Sequence, residues 1–189
     1  MIYLVSGFMR SGTSMLMQAL EAGGMAVVKD AQRDQLNAAH SDVQYQPNPV
    51  SLYEPTVAHM RHPGFPRMYD GQVVKIVVPF LPMLAVHDYR VVFLRRDAEE
   101  IRQSYEGAFG AKLTTAQIDR AVEEGLKTLR NRKDVRDVFE LDYAETVAHP
   151  GETCYALTQI GWPIDVLAAM AVVDPARYRF RREALTVGL

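Results

Sequence analysis

MIYLVSGFMRSGTSMLMQAL, residues 1–20, is the stretch on which the reading of this chain turns. Ile2 to Val5 is a short apolar run of the kind that forms a buried parallel strand. It breaks into Ser6-Gly7-Phe8-Met9-Arg10-Ser11-Gly12-Thr13-Ser14 and resumes as an apolar helix from Met15 to Leu20. Strand, glycine-bounded loop and helix together turn backbone N–H groups and a helix N-terminus toward an anion. Gly7, four residues, Gly12, then Thr13-Ser14 is the spacing of a phosphate-binding loop, with one departure: Thr13 stands where a nucleotide triphosphatase carries lysine. The only cation in the loop is Arg10, two residues before the second glycine. A tight turn that binds nothing is the competing reading. The Thr13 and Ser14 hydroxyls and an arginine in one nine-residue loop favour phosphate.

A chain of 189 residues is expected to form one domain with a sizeable core. Its 48% hydrophobic and 23% charged residues are ordinary for a globular protein. The net charge of −2 gives the whole chain no attraction for nucleic acid or an anionic membrane, and neither is expected as a partner. The basic residues cluster even so: Arg90, Arg95, Arg96 and Arg102; Arg130, Arg132, Lys133 and Arg136; Arg177, Arg179, Arg181 and Arg182. Local cationic patches suit a small polyanion better than a duplex. The single cysteine, Cys154, allows no internal disulfide and reads as a small apolar filler. With no signal-like or membrane-length segment in view, the expected location is cytoplasmic.

Further along, Ala22-Gly23-Gly24 should end the first helix, Met25–Val28 is a strand candidate, and Gln32–His40 a short helix. Gln44–Pro66 holds five of the ten prolines and reads as a long irregular stretch, a kind usually functional. Val73–Val78 and Arg90–Leu94 are expected strands, with a short helix over 79–86 between them. Asp97 with Glu100 opens a helix with a capping-box pattern, turning Ile101, Ser104, Tyr105 and Ala108 inward. Thr114 with Gln117 opens another helix, to about Arg130. Val138–Leu141 is the last strand, followed by three helices near 144–149, 152–160 and 163–172. Such alternation predicts an α/β fold, three layers around a central parallel sheet of about five strands, with ligands at the strands' carboxyl ends. The loops after Val5, Val78, Leu94 and Leu141 would meet there.

The loop after the Arg90–Leu94 strand carries Arg96 just ahead of a helix cap and Ser104 about two turns on. An arginine and a serine so spaced can hold a second phosphate. Alternatively, Arg96 pairs with a nearby carboxylate and Ser104 is a small core contact.

Together the two loops resemble those of the sulfotransferase family, in its bacterial branch. SGFMRSGTSML is similar to the family's 5′-phosphosulfate loop, and FLRRDAEEIRQSY to its 3′-phosphate motif. QPNPVSLYE resembles the family's asparagine-proline, aromatic-glutamate stretch, and VVKIVVP its lysine-bearing strand. LDYAETVAHP and AVVDPARYRFR are similar to two further family segments, in order, so the likeness spans nearly the whole chain. It implies a P-loop NTPase-like fold and 3′-phosphoadenosine 5′-phosphosulfate as co-substrate, without a metal. On that likeness the 5′ end sits on Ser11, Gly12, Thr13 and Ser14, with Arg10 and Lys75 neutralising the bridging oxygen as the sulfuryl group leaves. Arg96 and Ser104 hold the 3′-phosphate, Arg179 or Arg181 closes over it, and Tyr143 contacts the adenine. The histidine that the cytosolic branch uses as base is replaced by Val77. Glu54 is then the candidate base for a small hydroxyl or amine acceptor; its other reading is a cap for the helix beginning at Pro55. His59 and His62 are alternates. Three other readings stand beside this one: a P-loop kinase or nucleotidase, a nucleotide-binding module without catalysis, and interaction through the proline-rich loop. Neither the acceptor nor the oligomeric state is legible in the sequence.

Overall fold

The structure is a computed structural model and describes residues 1–30, 35, 53–55 and 57–181. Its centre is the strand β1 (Ile2–Gly7), buried along its whole length. Ile2 and Leu4 face one core, Tyr3 and Val5 the other. This is the alternation that a strand covered on both faces requires. Parallel to it run β2 (Val73–Lys75) on one side and β3 (Tyr89–Arg95) on the other, with β4 (Val135–Asp142) outside β3. The sheet order among the described residues is therefore β2-β1-β3-β4, all parallel.

On one face lie α2 (Val57–Arg61), α3 (Ala98–Phe109) and α4 (Thr115–Arg130), which bury Met60, Ile101, Ile118, Val122, Leu126 and Leu129 with Phe93 and Val91. Against the other pack α1 (Thr13–Ala22), α5 (Tyr143–Ala148), α6 (Pro150–Gln159) and α7 (Val166–Ala171), around Leu16, Leu20, Val92, Leu157 and Trp162. These are the three expected layers. The sheet differs from expectation in having four strands rather than about five among the described residues. Met25–Val28 does not become a strand; Val27 makes one isolated bridge to Val73. The expected 73–78 strand stops at Lys75, and Val78–Met83 winds into a 3-10 helix. Pro79 and Pro82 have no amide hydrogen to give to a ladder. The expected 32–40 helix and the 44–52 portion of the irregular stretch lie outside the described residues.

Both helix caps read from sequence form. Asp97 accepts from the amides of Glu99 and Glu100, and Thr114 and Gln117 complete a reciprocal box. Among the described residues no helix is long and apolar enough to cross a membrane. Cys154 is buried, and burial pushes its thiol pKa up, as suits a filler.

The strand order fixes where a ligand can sit. The chain leaves β1 for β2 on one side, then crosses to β3 on the other, so the crevice beyond Gly7 and Leu94 is a topological switch point.

Candidate functional site

Past Gly7 the chain must turn sharply from strand to helix. A Cβ on Gly7 would lie 2.6 Å from both the Leu94 carbonyl oxygen and Ser11 Oγ. Arg10 (φ 71) and Gly12 (φ 96) are both left-handed, which curls the loop back on itself. Gly12 is also the N-cap of α1 and provides no side-chain cap, so the first-turn amides of Thr13 and Ser14 have no intrahelical acceptor. Ser11 Oγ is buried without a hydrogen-bond partner. Unsatisfied donors, a helix N-terminus and an unpartnered buried hydroxyl thus converge on one turn, the makings of an anion site.

Two cationic groups flank that turn. From β2, the buried Lys75 donates to Ser14 Oγ at 2.9 Å, and its Nζ stands 3.1 Å from Glu54 Oε1. Glu54 follows Tyr53, a buried residue held left-handed (φ 57) with its hydroxyl donated to Glu21 at 2.7 Å. Left-handed backbone at a non-glycine residue is uncommon. Here it delivers Glu54 to Lys75. The pair forms part of a small pocket whose other walls are Pro55, Val57, Met60, Ile76, Val77 and Phe80. His59 turns elsewhere, to Asp30 at 3.3 Å, and His62 accepts from the Gly64 amide.

The second group lies at the switch point. Arg96 donates through Nη1 to the Arg10 carbonyl at 3.0 Å and through Nε to Glu100 at 2.9 Å. Its guanidinium therefore faces the glycine turn. Arg10 reaches from the turn in the opposite sense, giving its Nε to Ser104 Oγ at 3.0 Å. Burial, then repulsion from Arg96 and Arg179, lowers the Arg10 pKa to about 10, so these cations share one crowded crevice. Like charges gathered this closely carry a cost that Glu100 offsets at Arg96 and that an incoming anion would relieve further. Tyr143 closes the crevice from below. A Cβ on Gly12 would sit 2.3 Å from its ring, and the Arg96 guanidinium lies over that ring at 4.5 Å.

The residues expected from sequence thus divide into two groups. Ser11, Gly12, Thr13, Ser14, Lys75 and Glu54 gather at the mouth of the turn. Arg10, Arg96, Ser104, Tyr143 and Arg179 gather beside it. Arg10 lies with the second group, on Ser104, rather than with Lys75. Arg181 stacks over Tyr178 at 4.8 Å and bonds the Pro175 carbonyl. Of the two alternatives weighed for Arg96 and Ser104, the structure shows the carboxylate pairing of Arg96 and the burial of Ser104. The basic run at 130–136 behaves differently: Arg130 pairs with Glu140, Arg132 with Asp134 and Arg136 with Asp88. That patch is largely neutralised by its neighbours. Three residues escaped sequence reading. Glu100 looked like a helix cap, although its i,i+4 relation to Arg96 was a usable signal. Tyr53 and Tyr178 lie within the segments QPNPVSLYE and AVVDPARYRFR, but their roles were not legible because their partners are distant in the chain.

No protein-family model matches this sequence, and no curated protein matches it. Among solved structures it is similar to a sugar kinase from Janibacter sp. HTCC2649, at 12% identity and TM-score 0.41, over 93% of this chain and 96% of that one. A retinol dehydratase in complex with androsterone and inactive cofactor PAP matches at 12% identity and TM-score 0.43, over 94% of this chain and 64% of the other. A gluconokinase from Sinorhizobium meliloti 1021 matches at 15% identity and TM-score 0.34, over 98% and 95%. All three likenesses are loose.

Proposed function

We propose that the chain is a single-domain sulfotransferase that moves a sulfuryl group from 3′-phosphoadenosine 5′-phosphosulfate to a small hydroxyl or amine acceptor. The observation that supports this reading is that the glycine turn and the Arg10–Arg96–Ser104 cluster adjoin at one switch point, tied together by the Arg96–Arg10 carbonyl bond. A donor with phosphates at both ends of its ribose suits such a pair. A nucleoside triphosphate, with its charge in one chain, does not need the second.

The amides of Gly12, Thr13 and Ser14 and the Ser11 and Ser14 hydroxyls would hold the 5′ end, the Ser11 amide being donated to the Phe8 carbonyl at 3.1 Å. Arg96, Arg10 and Ser104 would hold the 3′-phosphate. Lys75, bonded to Ser14, would neutralise the 5′-phosphate oxygen as its bond to sulfur breaks. The acceptor would enter the pocket walled by Val57, Met60, Val77 and Phe80. As its oxygen or nitrogen bonds to sulfur, its proton would pass to Glu54, and adenosine 3′,5′-bisphosphate would leave. Positioning and charge stabilisation account for most of such a transfer, as for phosphoryl groups. With Arg10 turned to Ser104, Lys75 would carry the larger share at the leaving oxygen.

Calorimetric titration with adenosine 3′,5′-bisphosphate and with ATP–magnesium tests this reading. Tight bisphosphate and weak ATP binding are expected. The reverse order would make the chain a P-loop kinase. Sulfuryl transfer lost in Glu54→Gln, with bisphosphate binding intact, would separate an enzyme from a binding module.

A further inference from the structure

Arg96 is held more tightly than a single anion-binding arginine needs. Its side chain is 7% exposed and that of Glu100 is 3% exposed. Glu100 divides its carboxylate, Oε2 taking Arg96 Nε at 2.9 Å and Oε1 taking the Tyr178 hydroxyl at 2.9 Å. Tyr178 comes from the strap that follows a 3-10 turn at Pro175–Arg177, far along the chain from α3. Its ring stands edge-on to Tyr143 at 4.9 Å, and the two rings lie 5.3 and 4.5 Å from the Arg96 guanidinium. Arg96 therefore lies against two aromatic rings that meet edge to face, and is tied at Nε, at Nη1 and, more weakly, from Nη2 to the Phe180 carbonyl at 3.5 Å. That leaves one N–H on each Nη, a pair that can meet phosphate oxygens.

Burial and the bond to Glu100 both push the Tyr178 phenol pKa up, so it remains a proton donor at any working pH. A buried carboxylate beside an anion-binding arginine opposes the anion by charge alone. Its retention needs a geometric reason, and fixing the arginine's orientation supplies one.

We propose that Glu100 and Tyr178 are positioning residues that hold the Arg96 guanidinium edge toward the Gly7–Ser14 turn, and so confer preference for a nucleotide bearing a 3′-phosphate. This rests on the donor reading above. It adds that the discrimination depends on a strap residue and a buried acid that would not themselves touch the phosphate.

The test is the ratio of two affinities on the full chain, adenosine 3′,5′-bisphosphate against adenosine 5′-monophosphate, by calorimetry. Tyr178→Phe keeps the ring and removes the hydroxyl. Glu100→Asp keeps the charge but is too short to reach both partners. Each is expected to weaken the bisphosphate about 5- to 30-fold, the factor for a loss of about 1–2 kcal/mol, while leaving the monophosphate within about twofold. A purely structural role would lower both affinities together or shift only the melting temperature, and either result overturns the proposal. So would unchanged bisphosphate affinity in both variants. If the parent protein binds the two nucleotides equally, the donor reading fails first, and that result is read before any variant is made.

Discussion

Replacing Gly12 by alanine places a methyl group where Tyr143 already is. The new Cβ would lie 2.3 and 2.4 Å from two ring carbons, against 3.4–4 Å for an ordinary contact, so the ring must move by about an ångström. Two costs follow. Alanine at φ 96 adopts a left-handed backbone, about 1–2 kcal/mol. Overpacking against Tyr143 adds about 1–3 kcal/mol. The sum, about 2–5 kcal/mol, is a large part of the roughly 5–15 kcal/mol that holds a domain folded. Gly24 separates the two terms, because it has a similar φ of 91 and nothing within 4 Å of its would-be Cβ. Gly24→Ala should therefore show the backbone cost alone. Urea unfolding followed by circular dichroism gives both values, provided the slopes agree. Gly12→Ala should exceed Gly24→Ala by about 1–3 kcal/mol, and adding Tyr143→Ala to Gly12→Ala should recover most of that excess. Equal costs at the two glycines, or strict additivity of the double variant, would refute the packing of Tyr143 against the loop. With that packing would go its role in joining the turn to Arg96.

Lys75 and Glu54 should behave as a coupled pair. Lys75→Met removes the cation from a contact in which the lysine is 2% and the glutamate 19% exposed. A loss of about 2–4 kcal/mol is expected, below the fully buried range because Glu54 keeps some water. A double-mutant cycle with Glu54→Gln should return about 1–2 kcal/mol of coupling; a value near zero removes the pair. Arg10 should show the opposite trade. Since burial, Arg96 and Arg179 depress its pKa to about 10, the empty protein bears a penalty for holding it charged at every pH below that value. The penalty fades only as the proton leaves above about pH 10. Arg10→Gln should then stabilise the unliganded protein by on the order of 1 kcal/mol, flat from pH 6 to 9, while weakening bisphosphate binding. Destabilisation in melts without ligand would show that its bond to Ser104 outweighs the repulsion.

Local chemistry made much of this molecule readable in sequence. Gly7 and Gly12 announced the turn because a positive φ is a property of the residue itself. Asp97 and Thr114 announced caps because a cap is satisfied within three residues. The apolar runs of β1 and β3 read as buried strands, and the alternation of elements gave the layers. What escaped was whatever depends on a partner far away. Val73–Val78 looked like one strand, but Pro79 and Pro82 and the packing of Val78 on α4 turn its end into a 3-10 helix.

The sequence by itself determined that a glycine-bounded turn joins the first strand to the first helix and that an arginine lies within it, since backbone conformation and charge are local. Only the tertiary structure decided which cations the turn meets. It placed Lys75 on Ser14 and Glu54, turned Arg10 toward Ser104, and held Arg96 against Tyr143, Tyr178 and Glu100. An arginine's side chain spans several ångströms and can reach many acceptors. Its direction is chosen by whichever carboxylate and rings the fold brings within reach, and for Arg96 one of those rings, Tyr178, lies 82 residues away in the chain.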